Sequence, residues 1–445
     1  MTSVDALVLI QNSWGEVDWI LPVLRRLRDK GLRLLVHFPL QSVLDEGRSY
    51  GDLDACLRSV ATVVGPEDVA RAAARFRGRL RLALRALRAP HARLSGRLAR
   101  ARRLLAGDDP SQQCLPAELL HALTGGDPNW LLHDFSGQGH HVYHRTFPGS
   151  RLVLFPHGTV EYGLGSDHLR AMIGRRFAEQ PAPSGSLLLV GTEASADFFR
   201  KATDIADVRP VGHPMLHAEW IETLRGHAPR DRGREPGLVL VLIPRRKFPD
   251  AARYAAMVRQ VRDAARSAGL PLVLKTHPRQ EKTEIEHILA ELDHEPLVMA
   301  SSLGAALVPG DVAVAFPSSS CNQAVANHVP VIEYFDFGAG QWPSFVQADG
   351  RRTSAFRMQG VVLAVSDPAD LARTVARLAS DPEAYRRAAE TQWLALEQSG
   401  LLPPDSGLAA CEALLDRTGT RSGRRDRQEP RLRDASWAPE RKPST

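Results

Sequence analysis

Residues 311–334 decide the fold class, and they read Asp311-Val-Ala-Val-Ala-Phe-Pro-Ser-Ser-Ser-Cys-Asn-Gln-Ala-Val-Ala-Asn-His-Val-Pro-Val-Ile-Glu-Tyr334. The apolar run Val312–Phe316 is typical of a buried parallel strand. Pro317 ends that run, Ser318–Ser320 begin a short helix, and Pro330 ends the helix before a second strand. A strand, a turn, a helix and a strand in this order predict a parallel α/β sheet.

The three serines have two interpretations. Serine at a helix start commonly caps free backbone N–H groups. Beyond the carboxyl end of a parallel strand, the same hydroxyls, the N–H groups and the helix dipole also form an anion site. Ser318, Ser319 and Ser320 therefore predict either plain capping or a phosphate site.

A basic motif about 40 residues earlier favours the phosphate site. The sequence Pro271-Leu-Val-Leu-Lys-Thr-His-Pro-Arg279 places Lys275, His277 and Arg279 after a short apolar strand, and Pro278 prevents the strand from continuing. Open α/β sheets bind ligands outside the carboxyl ends of their strands. We therefore predict that these cations and the serines share one crevice, which suits a phosphate or a diphosphate.

The rest of the chain predicts two α/β halves. The first half, 1–225, opens as a strand (Ala6–Gln11), a loop (Asn12–Val17), a helix (Asp18–Lys30) and another strand. A polar hinge near 226–235 precedes the second half, 236–416, which ends in helices. Residues 417–445 are rich in Arg, Ser, Gly and Pro, so the composition predicts a disordered basic tail.

Composition limits the functional classes. The net charge of +6 is concentrated in two places, the tail and the segment 69–107, which has twelve arginines and no acid. That segment lies in an Arg-rich helical insertion, about 66–106, which predicts either a solvated helix face or a basic amphipathic helix on anionic lipid. It lacks interleaved aromatic residues and any recognition motif, so we expect no nucleic-acid partner.

The compartment is expected to be the cytoplasm. The sequence has no 18-residue apolar run, and its first residues lead us to expect no signal peptide. We expect at most a peripheral contact with the inner face of the cell membrane. The four cysteines lack metal or redox spacing and are expected to be free thiols. They are Cys56, Cys114, Cys321 and Cys411.

Several short motifs resemble those of the GT-B superfamily of glycosyltransferases. Val211-Gly-His-Pro-Met-Leu-His217 resembles the segment that leads from the first domain into the linker, although His217 replaces the usual acid. Phe155-Pro-His-Gly-Thr159, Lys275-Thr-His-Pro278 and the serine run resemble the CDP-glycerol glycerophosphotransferases of teichoic-acid synthesis, and also capsule sialyl- and Kdo-transferases that use CMP-linked donors. The resemblance covers residues 5 to 415. It implies two Rossmann-like domains that face a central cleft.

The resemblance also implies a reaction. A GT-B transferase would move a glycosyl or polyol-phosphate group from a cytidine-activated donor to a hydroxyl of a growing bacterial surface polysaccharide, held as a glycan or lipid-linked acceptor. The donor would bind the second domain through Arg245, Lys275, His277, Pro278, Arg279 and Ser318–Ser320, with Glu333 on the ribose. Arg246 and Lys247 extend the basic loop. No cofactor is expected beyond the nucleotide-activated donor.

The catalytic base should come from the first domain, because the second holds the donor. Glu16 and Asp18 follow the first strand. The Trp14-Gly-Glu-Val sequence resembles the loop of lipid A Kdo transferases whose Glu is the base, and this resemblance favours Glu16 as the base. His157 ends another strand. Each has a structural alternative, since the two acids could only cap the first helix and the histidine could only pack.

Metal dependence is not expected. The His-rich cluster His133, His140, His141 and His144 lacks convincing ligand spacing, and the Asp52-Leu-Asp54 pair lies before a helix rather than after a strand.

Two other functions stay open. One is a UDP-N-acetylglucosamine 2-epimerase-like enzyme, although Asn12-Ser-Trp-Gly-Glu16 stands where that family typically carries Arg-Pro-Glu. The other is a non-catalytic nucleotide-sugar-binding protein of polysaccharide assembly.

Overall fold

The structure is a computed structural model. It describes residues 3–47, 50–71, 117–135, 140–156, 158, 167–228, 233–243, 251–277, 280, 282–292, 296–299, 301–338, 345–346 and 349–416. The core of the Arg-rich insertion, His157, the basic loop 244–250, Pro278, Arg279 and the tail from 417 lie outside the described residues.

The first half builds a parallel sheet from short, fully apolar strands. Its seven described strands lie in the order β3-β2-β1-β4-β5-β6-β7. They are β1 (Ala6–Leu9), β2 (Leu34–His37), β3 (Thr62–Val64), β4 (Trp130–Asp134), β5 (Arg151–Phe155), β6 (Leu187–Val190) and β7 (Asp207–Pro210). Strand β1 pairs with both β2 and β4, so the order reverses between β1 and β4.

The second half repeats the plan with six described strands in the order β10-β9-β8-β11-β12-β15. They are β8 (Leu238–Val241), β9 (Leu272–Lys275), β10 (Leu297–Val298), β11 (Val312–Ala315), β12 (Val331–Tyr334) and β15 (Leu363–Val365). Strands β13 (Phe345–Val346) and β14 (Arg352–Thr353) form a separate antiparallel pair. The order reverses between β8 and β11, and this second Rossmann-like sheet confirms the predicted fold class.

Helices cover both faces of the two sheets. In the first half they are α1 (Trp14–Asp29), α2 (Gln41–Glu46), α3 (Gly51–Val60), α4 (Ala117–Thr124), α5 (His140–Thr146), α6 (Asp167–Glu179), α7 (Glu193–Ala202) and α8 (Ala218–Gly226). In the second half they are α9 (Ala251–Ser267), α10 (Lys282–Ala290), α11 (Leu303–Ala306), α12 (Ser320–Ala326), α13 (Ala355–Gln359), α14 (Pro368–Ser380), α15 (Pro382–Gln398) and α16 (Leu408–Leu415).

The first helix begins earlier than the sequence predicted. It starts at Trp14, so the predicted loop Asn12–Val17 is wrong over most of its length. Trp14 is buried, stacks on Phe38 and donates its indole N–H to the Val43 carbonyl at 2.6 Å. This packing holds the chain in a helix from Trp14 onward, so that Glu16 and Asp18 lie at the helix start.

The two halves share one apolar core. A single cluster of buried side chains runs from α1 and α3 through Trp220 and Ile221 of α8 to Ala305 of α11 and Ala324 of α12. The carboxyl-terminal helix α16 returns to the first half and packs on α1. There the Trp130 indole donates to the Leu414 carbonyl at 3.1 Å. The halves therefore meet over an extensive packed interface.

No helix within the described residues is long and apolar enough to cross a membrane. Cys56, Cys321 and Cys411 are buried and form no disulfide, as expected for free thiols. Cys114 lies outside the described residues.

Candidate functional site

Each of the two sheets has one point where the order of its described strands reverses. In such sheets the loops on either side of the reversal diverge and leave a binding crevice at the carboxyl edge. The crevice loops follow β1 and β4 in the first sheet, and β8 and β11 in the second. Glu16 follows β1, and Ser318–Ser320 follow β11, so the topology places both predicted groups beside a reversal point.

Glu16 lies inside the first domain with no exposed surface. Its carboxylate accepts hydrogen bonds from the backbone N–H groups of Gln11 (2.9 Å) and Asn12 (2.7 Å), which fix the loop after β1. Burial, and then the negative charge of Asp134 at the end of β4, raise the pKa of Glu16 to about 7. Glu16 therefore holds its own loop, and it exchanges its proton near neutral pH.

Asp18 faces the second domain instead. The residue is 8% exposed, and its carboxylate accepts a hydrogen bond from the Gln323 amide of α12 at 2.5 Å. Burial, and then the charge of Asp52, raise the pKa of Asp18 to about 7, although the Gln323 hydrogen bond and the charge of Lys275 oppose the shift. An acid with a pKa of about 7 thus lies at the contact between the two halves.

Lys275 is the last residue of β9 and is buried, with 4% of its surface exposed. Its ammonium lies 4.2 Å from the centroid of the Tyr50 ring, which belongs to the first domain. A cation over an aromatic face is attracted by the ring quadrupole. The structure therefore places Lys275, which was predicted to bind the nucleotide donor, against the first domain and close to Asp18.

Asp52 adds a further contact between the halves. It is buried in the first turn of α3 and accepts hydrogen bonds from the Ser302 backbone N–H (3.0 Å) and hydroxyl (2.6 Å). Ser302 stands just before α11 of the second domain. Asp52 therefore holds the residue that precedes a helix of the opposite half.

The serine turn is partly exposed at the crevice. Ser319 precedes α12 but makes no side-chain capping bond to that helix, while the Ser318 and Ser320 hydroxyls lie 3.2 Å apart. A β-carbon placed on Gly158, after β5 of the first domain, would lie 3.1 Å from the Ser319 hydroxyl oxygen. The serine turn therefore faces the loop that the Phe155-Pro-His-Gly motif forms.

Glu333 lies inside the second domain rather than on its surface. Its carboxylate has no exposed area and accepts hydrogen bonds from the Ser354 hydroxyl (2.9 Å) and the Arg357 Nε (2.5 Å). Burial raises the pKa of Glu333, and the Arg357 charge opposes the rise. Arg357 also donates to the carbonyls of Phe335 and Val365, so the pair joins the ends of β12 and β15.

The remaining predicted site residues are only partly described. The His277 backbone N–H donates to the Gln280 side chain at 2.9 Å in the turn after β9. The others lie outside the described residues: His157, Arg245, Arg246, Lys247, Pro278 and Arg279. Within the described ranges, no three His, Cys, Asp or Glu side chains converge as a metal site would require.

Sequence reasoning missed Gln323, Tyr50 and Ser302, and it considered Asp52 only as a metal ligand. Gln323 follows Ser319 by four residues, the spacing that places two side chains on one face of a helix. That spacing was the available signal for Gln323. Nothing in the local sequence of Asp52 or Ser302 indicates their contact, because they are 250 residues apart.

Comparison with solved structures supports this architecture. A protein from Listeria monocytogenes, described as a candidate UDP-N-acetylglucosamine 2-epimerase, matches with a TM-score of 0.52 at 13% identity, covering 96% of this chain and 99% of that one. The UDP-GlcNAc 2-epimerase of Neisseria meningitidis bound to UDP-GlcNAc gives a TM-score of 0.48 at 10% identity, covering 88% and 98%. The spinosyn rhamnosyltransferase SpnG with thymidine diphosphate gives 0.46 at 14% identity, covering 93% and 100%.

The match to the Listeria protein establishes the fold and leaves the reaction open. The Listeria protein shows that the chain has the GT-B architecture. No family model matches the sequence. No curated protein matches it either.

Proposed function

We propose that the protein is a GT-B transferase that moves a group from a nucleotide-activated donor to an acceptor hydroxyl. The observation that carries the proposal is the contact between Asp18 and Gln323. An acid of the first domain, with a pKa of about 7, meets the helix that follows the serine turn of the second domain. A transferase needs a proton acceptor from one side of the cleft and a phosphate-binding edge on the other.

The donor phosphates would bind the carboxyl edge of the second sheet. Ser318–Ser320 and the basic loop that contains Arg245 follow the neighbouring strands β11 and β8. Lys275 ends β9, the next strand along, and neighbouring strand ends lie about 4.8 Å apart. Hydroxyl donors and cations along this edge suit the developing negative charge of a departing nucleotide.

We propose Asp18 as the proton acceptor, in preference to Glu16. Both acids have pKa values near 7, where a general base is most effective. Asp18 contacts the donor-side domain, whereas Glu16 has no exposed surface and binds two N–H groups of its own loop. His157 stays a third candidate on the Phe155-Pro-His-Gly loop.

The finer assignments rest on the sequence motifs. We propose a cytidine-linked donor, a bacterial surface polysaccharide as acceptor, and transfer without a metal ion. A turnover assay with excess EDTA, followed by added Mg²⁺ or Mn²⁺, tests the last point, since metal-independent transfer should be unaffected by either treatment.

A binding panel followed by turnover tests the function. A nucleotide present at 100 times its dissociation constant should stabilise the protein by about 2.7 kcal/mol, so CMP, CDP, UDP and GDP can be ranked by thermal shift. Turnover of the matching donor should then require a hydroxyl acceptor. Conversion of UDP-N-acetylglucosamine without an acceptor would instead support the epimerase, and binding without any turnover would support an assembly protein.

A further inference from the structure

Gln323 of the second domain makes a direct hydrogen bond to Asp18. It lies in the second turn of α12, and its amide donates to the Asp18 carboxylate at 2.5 Å across the domain interface. The two residues are 305 positions apart in the chain, so only the packing of the two domains brings them together. The bond therefore exists only while the domains are in contact.

The charges around Asp18 make this hydrogen bond important for the protonation state of the acid. Asp52 of α3 repels the Asp18 carboxylate, while Lys275 of β9 attracts it. Tyr50, before α3, is also near Asp18, and Glu46 at the end of α2 is near Tyr50. With burial and one anion favouring the neutral acid, the Gln323 amide and Lys275 are the two groups that favour the carboxylate.

A neighbouring amide provides a contrast. Asn327 lies four residues after Gln323, and its side-chain oxygen accepts a hydrogen bond from Arg225 of α8 at 2.8 Å. Asn327 thus makes a contact of similar length with the first-domain helix α8, without touching Asp18. A purely structural role for such amides would make the two residues equivalent.

We infer that Gln323 is a positioning residue, which holds the Asp18 carboxylate in its proton-accepting form and orientation while the two domains are closed. The inference rests on the proposed function, because Asp18 is the proposed proton acceptor. It adds that the orientation of the acid depends on closure, since opening the cleft removes the amide.

The first test is the pH dependence of kcat/KM for the wild type, Gln323→Leu, Asp52→Asn and Asn327→Leu. Activity should rise with pH as Asp18 loses its proton. Loss of the Gln323 bond should move this rise to higher pH by about one unit, because a hydrogen bond to a charged group favours the charged form. Asp52→Asn should move it to lower pH, and Asn327→Leu should leave it unchanged.

The second test needs no turnover. A buried acid with a raised pKa makes the folded state lose stability as pH rises from about 4 through 7. The wild type should show this loss, and Asp18→Asn should show a smaller one, because Glu16 also has a pKa of about 7 and keeps its own share. We compare unfolding in urea at pH 5 and pH 8 for each variant with and without Asp18→Asn. In the Gln323→Leu background the Asp18-dependent loss should extend to higher pH.

The outcomes separate the inference from the proposed function. Absent turnover with the expected stability shift would contradict the transferase but keep the coupling between Gln323 and Asp18. Equal behaviour of Gln323→Leu and Asn327→Leu in both measurements would overturn the inference even if transfer is observed. If Gln323→Leu does not fold, Gln323→Asn, which is shorter by one methylene, serves in its place with the same expected directions.

Discussion

The two acids at the start of α1 illustrate how much two positions can change the role of a carboxylate. Glu16 points back into its own domain and fixes the loop after β1. Asp18 points across the interface and touches Gln323. Burial is the largest cause of the raised pKa of each acid, so the difference between them lies in their partners.

Replacing each acid by its amide should separate these roles. Asp18→Asn should lower kcat by roughly 10²-fold or more while nucleotide affinity stays close to that of the wild type. Glu16→Gln keeps one acceptor oxygen but places its amide NH2 group against one of the two backbone N–H groups, so it should cost about 1–3 kcal/mol in unfolding free energy and affect turnover less. Steady-state kinetics and urea unfolding measure both effects. Normal turnover by Asp18→Asn with an inactive Glu16→Gln would return the role of base to Glu16.

The Glu333–Arg357 pair gives a second prediction for single residues. Arg357→Met leaves a buried carboxylate without its cation, so unfolding free energy should fall by about 3–5 kcal/mol. The loss should be larger at pH 8 than at pH 5, because protonation at low pH removes the uncompensated charge. Urea unfolding at the two pH values measures this.

An exposed pair provides the control for that experiment. Arg373 and Asp370 lie on the surface of α14 at i, i+3 spacing. Arg373→Met should change unfolding free energy by less than about 1 kcal/mol at either pH. A similar small effect for Arg357→Met would show that Glu333 does not depend on its buried partner.

Local sequence predicted the residue types at the site better than their partners. Lys275 and Ser318–Ser320 were identified because strand ends and prolines mark the carboxyl edge of a sheet. The interface contacts of Gln323 with Asp18 and of Asp52 with Ser302 could not be predicted, because the two partners of each contact are distant in sequence. Glu333 was expected on the ribose, but its side chain is held by Ser354 and Arg357, which lie in a segment without a recognisable motif.

At the scale of elements, the strands were the most predictable parts of the chain. Short β-branched and leucine-rich runs bounded by Gly, Pro or polar residues predict buried parallel strands, and those of the quoted stretch were found. The start of α1 was not predicted, because burial of Trp14 against Phe38 and Val43 overrides the low helix propensity of Gly15.

The close approach of two loops across the crevice can be tested at Gly158. This residue has a φ of 71°, and an added β-carbon would lie 3.1 Å from the Ser319 hydroxyl oxygen. Gly158→Ala should therefore destabilise the protein through backbone strain and also displace Ser319. Adding Ser319→Ala should recover the stability that is lost by displacing Ser319. Urea unfolding of the double variant measures this recovery.

Gly31→Ala controls for backbone strain alone. Gly31 has a φ of 82° and no atom within 4 Å of an added β-carbon. Its substitution should cost about 1–2 kcal/mol, and Ser319→Ala should not restore any of that loss. Equal responses of the two glycine variants to Ser319→Ala would argue against contact between the Gly158 loop and the serine turn.

At the scale of the whole molecule, the two halves are joined by more than the hinge. After α15 the chain leaves the second half and packs on the first half, so this segment holds the two halves together. Gly212 of the first half lies so close to Pro403 that an added β-carbon would be 2.6 Å from the Pro403 Cα. The His213 backbone N–H donates to the Leu401 carbonyl at 3.0 Å. From the sequence we predicted two halves and a hinge between them. Nothing in the sequence indicated that the end of the second half packs on the first half.

The carboxyl terminus should therefore contain a sharp boundary between essential and dispensable residues. A chain that ends after Asp416 keeps the ion pair between Arg209 and Asp416 and the buried Cys411 and Leu414 of α16. It should unfold at the same urea concentration as the full chain and turn over soluble substrates equally, because residues 417–445 lack apolar periodicity.

A chain that ends after Pro404 loses α16, which exposes α1 and leaves the Trp130 indole without the Leu414 carbonyl. Burying each large apolar side chain contributes about 1.5–3 kcal/mol, so this shorter chain should lose several kcal/mol of stability. Since α1 also carries Asp18, it should lose turnover even where nucleotide binding to the second half persists. Equal stability of the two truncated chains would contradict the packing of α16 on the first half, and loss of activity on removal of 417–445 alone would assign the tail a role in transfer.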